Sequence, residues 1–162
     1  MALGEKLTIR PSVIAGTWYP GSAPALRRTV EDYLAQASRV ELPGELLVLV
    51  SPHAGYAYSG PTAGHAFAPV RGAAIRRVIL LGPLHRPIWG SAVGSFMVPV
   101  EDAYRTPLGD VLLDRAFIEC LGQQVELTSV RRDEEHALEI ELPFLQVALG
   151  RFQLVPVMLG DY

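Results

Sequence analysis

His53 and His85 are the residues whose type and surroundings best suit them to chemistry. Each follows an apolar run that a proline interrupts. Residues 46–50 (Leu-Leu-Val-Leu-Val) stop at Ser51-Pro52, and His53 is next. Residues 78–81 (Val-Ile-Leu-Leu) stop at Gly82-Pro83, and His85 follows after Leu84. Such runs read as strands buried on both faces of a sheet. The histidines are separated by roughly 30 residues, the length of one strand–helix–strand crossover. If the two strands are parallel neighbours, both imidazoles emerge at one edge of the sheet, where ligands bind in open α/β folds. Neutral imidazole suits zinc, copper, nickel and iron. Two of them can share an ion when a third ligand closes the site, and catalytic sites keep one position open. The plainer alternative is that each histidine hydrogen-bonds a loop carbonyl.

Other side chains extend the candidate list. His136 lies in Asp133-Glu134-Glu135-His136-Ala137-Leu138-Glu139, which reads as the first turn of a helix capped by Asp133. In a helix His136 and Glu139 share a face. They would serve as ligand, general base or supporting pair, and a solvated helix start explains them equally well. With Tyr56 they form the catalytic candidates. Arg105, Tyr104 and Tyr58 are the ligand-binding candidates, since phenol and guanidinium groups donate to anions; each also fits an ordinary loop. Residues 55–62 imitate a phosphate loop, but Pro61 stands where the lysine must be, so the nucleotide reading fails. The glycines there read instead as letting the backbone turn closely around His53.

These residues need a scaffold. The chain has 162 residues, 49% hydrophobic and 19% charged, which suits one α/β domain over 1–162 with a sizeable core. A net charge of −3 without a basic run leaves no footprint for nucleic acid. No apolar run reaches the ~18 residues of a membrane helix. The N-terminus lacks a signal-peptide layout, so a cytoplasmic location is expected. Cys120 is alone, which excludes an internal disulfide, and its apolar neighbours suggest burial. Strands are expected at 10–15, 46–50, 76–81, 91–98, 124–127 and 152–159. Helices are expected from Ser22 to about residue 37, from about Gly60, from an Asp110 cap to about Leu121, and from an Asp133 cap to about Leu149. Residues 101–109 read as a loop. Alternating strands and helices indicate a layered α/β sheet flanked by helices.

Several motifs together resemble the Memo family: A-G-T-W-Y-P at 15–20, S-P-H-A-G-Y at 51–56 with S-G at 59–60, L-G-P-L-H at 81–85, Y-R-T-P-L-G at 104–109, E-H-A-L-E at 135–139 with L-P-F at 142–144, and P-V-M-L-G at 156–160. The resemblance implies a fold like that of class III extradiol (LigB-like) dioxygenases, which use non-haem iron. It places His53 and His85 in a metal-site pocket, joined in the family by a histidine and a cysteine further along; Cys120 does not match that cysteine. The chain resembles the N-terminal part of a Memo protein, so the fold is expected to look truncated. The cofactor implied is a divalent transition metal, iron or copper ahead of zinc, in a metal-dependent oxidoreductase or dioxygenase-like protein. The family resemblance also implies phosphorylated-peptide or small-molecule ligands, and a radical S-adenosylmethionine protein or an AMMECR-type protein as microbial partners (the AmmeMemoRadiSam set). A non-catalytic module for phosphorylated peptide or another anion is the alternative, as is a subunit that assembles with a complementing chain or as a homo-oligomer.

Overall fold

The computed structural model describes residues 6–38, 40, 42–85 and 95–160. Among the described residues, seven strands and four α-helices form two sheets with helices packed against them. The strands are β1 (Ile9–Arg10), β2 (Arg77–Pro83), β3 (Phe96–Pro99), β4 (Ala103–Thr106), β5 (Gly109–Leu112), β6 (Leu127–Val130) and β7 (Gln153–Leu159). The helices are α1 (Ala23–Gln36), α2 (Tyr56–Phe67), α3 (Arg115–Gly122) and α4 (Leu142–Leu149). The larger sheet has the order β2-β7-β3-β6, and the smaller β1-β4-β5. β2 and β7 run parallel, as do β3 and β6, whereas β3 meets β7 antiparallel. The expected α/β class holds, in mixed rather than purely parallel form.

The core follows from the sequence pattern. α1 sets Leu26, Val30 and Leu34 on one stripe, all buried, with proline in its first turn where the missing N–H costs nothing. β7 is buried along most of its length because it has neighbours on both edges. Phe144 of α4 stacks on Phe67 at 5.3 Å and meets Tyr56 at 5.1 Å, tying α2 to α4. A Cβ on Gly64 would lie 2.6 Å from the Tyr33 carbonyl oxygen, and one on Gly60 would lie 2.3 Å from the Tyr33 ring. Those glycines let α2 approach α1 closely, so the place of Gly60 in the phosphate-loop imitation is a matter of packing.

Several local expectations are corrected. Residues 46–50 form no strand; Leu46 and Leu49 touch the core, while Leu47, Val48 and Val50 face solvent, because no described strand pairs with them. α2 begins at Tyr56 rather than near Gly60. The 101–109 stretch is mostly strand, a β4–β5 hairpin in which Arg105 sits opposite Asp110. Asp110 is therefore on a strand, and the cap of α3 is Asp114, whose carboxylate accepts from the Phe117 N–H at 3.0 Å. Asp133 caps no helix. Residues 133–138 are loop and turn, and α4 starts only at Leu142 after a short 3-10 turn (Glu139–Glu141). β6 is shifted three residues toward the C-terminus of the expected strand, sharing only Leu127 with it. Cys120 is exposed, on the solvent side of α3. Of the strand expected at 91–98, residues 91–94 lie outside the described residues.

Candidate metal centre

Three imidazoles converge where β2 ends. The rings of His53 and His85 are 5.2 Å apart between centroids, those of His85 and His136 are stacked at 4.5 Å, and those of His53 and His136 are 6.5 Å apart. β2 delivers His85. At its end, a Cβ on Gly82 would lie 2.7 Å from the Leu138 side chain and 3.4 Å from Ala137 Cβ, so the strand packs closely on the 137–138 turn. That contact brings His85 to Glu135 and His136. His53 arrives from the loop that precedes α2, held by Gly55, the residue at the helix N-cap.

Glu135 organises the cluster. One carboxylate oxygen accepts from the His85 backbone N–H at 2.6 Å. The other meets His85 Nδ1 at 3.0 Å and accepts from the N–H groups of His136 and Ala137, both at 2.8 Å. Burial alone would raise the Glu135 carboxyl, but the Ala137 N–H, the His85 side chain and backbone, and His136 together hold it below its ordinary value. It is therefore an anion. With Nδ1–H directed at it, His85 presents Nε2 as its lone-pair nitrogen, the usual arrangement behind a metal-binding histidine. His53 is held below its ordinary pKa by burial and by His85, against a smaller opposing pull from Glu135, which favours neutral imidazole. One ligand atom each from His85, Glu135 and His136 lie within 4.8 Å of one another, the one such group found among the described residues. Nitrogen and carboxylate donors in this set fit a divalent transition metal.

A cavity of about 1040 Å³ opens beside the cluster, lined in part by Trp18, Val50, Pro52, His53, Tyr58 and His136. Trp18 stands 4.3 Å from the His136 ring, and its carbonyl accepts from the Tyr56 N–H at 2.9 Å. Gly16, at a φ of 82°, makes the turn that presents it.

The other candidates lie elsewhere. Glu139 is fully buried; Arg10 Nη1 at 2.6 Å, the Tyr19 hydroxyl at 2.7 Å, the Ser12 hydroxyl and the N–H groups of Val13 and Ile14 all donate to its carboxylate. Arg10 also binds Asp133 at 2.9 Å and the Glu135 carbonyl, so this buried ion cluster clamps the 133–139 loop to β1. Tyr56 donates to the Ile140 carbonyl at 3.0 Å, and burial raises its pKa well above the ordinary phenol value. Tyr104 is buried against Arg10 and Asp133. Arg105 pairs with Asp110 at 2.8 Å on the exposed hairpin, away from the cavity lining. Tyr58 does line the cavity. Glu135 and Trp18 are the site residues that sequence reasoning missed, although both sit inside quoted motifs.

A histidine cluster with a carboxylate behind it, at a strand end of a mixed α/β sheet, defines an α/β protein with metal-ligand geometry. The chain belongs to the Memo family: the family model for Memo-like protein matches residues 10–161. It is 38% identical to Protein memo-1 homolog of Caenorhabditis elegans over 91% of this chain and 42% of that protein. It is 33% identical to human Protein MEMO1 over 98% of the chain and 54% of the relative. It is 35% identical to a MEMO1 family protein of Methanococcoides burtonii, over 94% and 55%. The chain thus spans about half the length of these relatives. No helix among the described residues is long and apolar enough to cross a membrane.

Proposed function

We propose that this chain is a metal-binding Memo-type protein of the oxidoreductase class, dioxygenase-like in its use of a metal at strand ends, and that it takes a small-molecule ligand into the cavity beside His53. The observation that carries the reading is the convergence of His53, His85 and His136, of which His53 and His136 line that cavity, with Glu135 orienting His85. His85 Nε2 and the neutral His53 imidazole are the nitrogens available to iron, copper or zinc. A bound metal would supply Lewis-acid or redox chemistry with positions left open for substrate. The residues do the rest. Trp18, Val50 and Pro52 offer apolar walls to an organic ligand, and His136, between Trp18 and His85, is placed to hold or deliver a proton at the cavity mouth. The alternative of a module for phosphorylated peptide draws less support, because the Arg105 guanidinium is already engaged by Asp110.

The test is metal content by mass spectrometry on protein purified without chelators, beside the His53→Ala/His85→Ala double variant. The expected result is about one transition metal per chain, lost in the variant. Equal metal in both proteins would sink the reading.

A further inference from the structure

Arg10 sits on β1 with its side chain buried, and its three guanidinium nitrogens go to three points of one distant loop. Nε donates to Asp133 Oδ1 at 2.9 Å, Nη1 to Glu139 Oε2 at 2.6 Å, and Nη2 to the Glu135 carbonyl. The Tyr104 ring lies 4.6 Å from the guanidinium carbon and packs on its face. Asp133 Oδ1 also accepts from the Glu135 N–H at 3.2 Å. The Arg10–Asp133 pair therefore holds both backbone polar groups of Glu135. From that fixed backbone the Glu135 side chain reaches the His85 N–H at 2.6 Å and His85 Nδ1 at 3.0 Å. A path of direct contacts thus runs from β1 to the imidazole at the end of β2.

Stability alone does not call for this arrangement. One guanidinium among the buried carboxylates of Asp133, Glu135 and Glu139 is costly to desolvate, and apolar side chains often replace such a set without loss of stability. Apolar groups cannot, however, hold a backbone carbonyl and N–H in place. Lysine cannot do so either, because its ammonium is a point charge, whereas the guanidinium is a rigid fork that meets three acceptors at once. We infer that Arg10, with Asp133, is a positioning residue for the metal centre. It sets the place of Glu135 and so the His85 tautomer that leaves Nε2 free for an ion. This role rests on the metal-binding reading of His85. The other donors of the buried cluster serve a different end. The hydroxyls of Ser12 and Tyr19 and the N–H groups of Val13 and Ile14 go to Glu139 rather than to Glu135 or His85.

The test compares Arg10→Lys and Tyr19→Phe with the native chain. The 15N shifts of the His85 ring in metal-free protein report which nitrogen carries the proton. Competition with a chromophoric chelator gives the affinity for zinc, and circular dichroism with a urea midpoint shows whether each variant is folded. Both substitutions should lower the midpoint. Only Arg10→Lys should move the His85 ring away from the Nδ1–H form, and it should weaken zinc binding about tenfold, the lower end of the loss when an outer partner of a ligand is removed. Tyr19→Phe should keep the native ring shifts and zinc affinity. If Arg10→Lys does not fold, Arg10→Met/Asp133→Leu removes both members of the pair together and should give the same two changes. Native ring shifts in a folded Arg10 variant overturn the inference, as does native zinc affinity in that variant. Equal losses in Tyr19→Phe also overturn it, because they would reduce Arg10 to a general contributor to stability. A native chain that takes no zinc defeats the metal reading alone, and the His85 ring shifts then decide the positioning role.

Discussion

A carboxylate that takes both the backbone N–H and the Nδ1–H of one histidine fixes the position and the tautomer of that imidazole together, and Glu135 is so placed toward His85. Its charge is held by donors from His85 at the end of β2 and from His136 and Ala137 of its own loop, so replacing it by an amide turns one acceptor into a donor facing donors. Glu135→Gln should therefore lower affinity for added transition metal by about 10–100-fold, the loss usual when the group behind a ligating histidine is removed. Competition with a chromophoric chelator measures it, with circular dichroism to check the fold; unchanged affinity would mean that the backbone alone orients His85. The sequence made His53 and His85 visible because each follows an apolar run broken by a proline, and His136 because it sits in a short acidic segment. Glu135 was hidden by the helix reading of 133–139, in which it would have pointed to solvent. Trp18 was hidden because its contact with His136 joins distant parts of the chain.

At the level of elements, the runs that pack on their own periodicity were legible: α1, β2 and β7 fall within a few residues of where the apolar pattern puts them. The pattern misleads where a tertiary partner decides. Tyr104-Arg105-Thr106-Pro107-Leu108-Gly109 carries turn residues at one end only, and its first part is strand because β1 and β5 flank it. Asp133 resembles a cap, but Arg10 claims its carboxylate from 123 residues away along the chain. The α1–α2 contact offers a test in which two effects compete. Gly→Ala inside a helix is worth roughly 1 kcal/mol of stabilisation by propensity. At Gly64 the added methyl would meet the Tyr33 backbone at 2.6 Å and 2.8 Å, atoms that cannot rotate away, and overpacking of this kind costs about 1–3 kcal/mol. The clash should win, so Gly64→Ala is expected to lower the urea midpoint. A higher midpoint would show that α1 and α2 can slide apart at little cost.

For the molecule as a whole, the pH dependence of stability turns on one buried acid. Glu141 is almost fully buried, one of its oxygens has no hydrogen-bond partner, and burial pushes its pKa up to about 8 against a weaker lowering pull from Ser51. The native state therefore holds a proton that the unfolded chain gives up near 4.5. Between those values the folded form binds more protons, so stability falls as pH rises and levels off above about 8. At 1.36 kcal/mol per unit, the full penalty on ionised Glu141 is on the order of 3–5 kcal/mol, a large part of the margin of a small domain. Asp114, Asp110 and Glu135 act in the opposite direction. Their pKa values are depressed in the fold, so the stability they contribute is present above the unfolded carboxyl range and is lost as pH falls through their folded values. The two trends place the maximum near pH 5, as an order of magnitude. Urea unfolding followed by circular dichroism from pH 5 to 9 should show a decline for the native sequence that levels off above about pH 8. Glu141→Gln keeps the neutral shape without the titrating proton, so its curve should stay flat over the same range and lie above the native one at pH 8. A native curve that is flat from pH 5 to 8 would mean that ionised Glu141 is stabilised in place, and that Ser51 and its loop reorganise to solvate it.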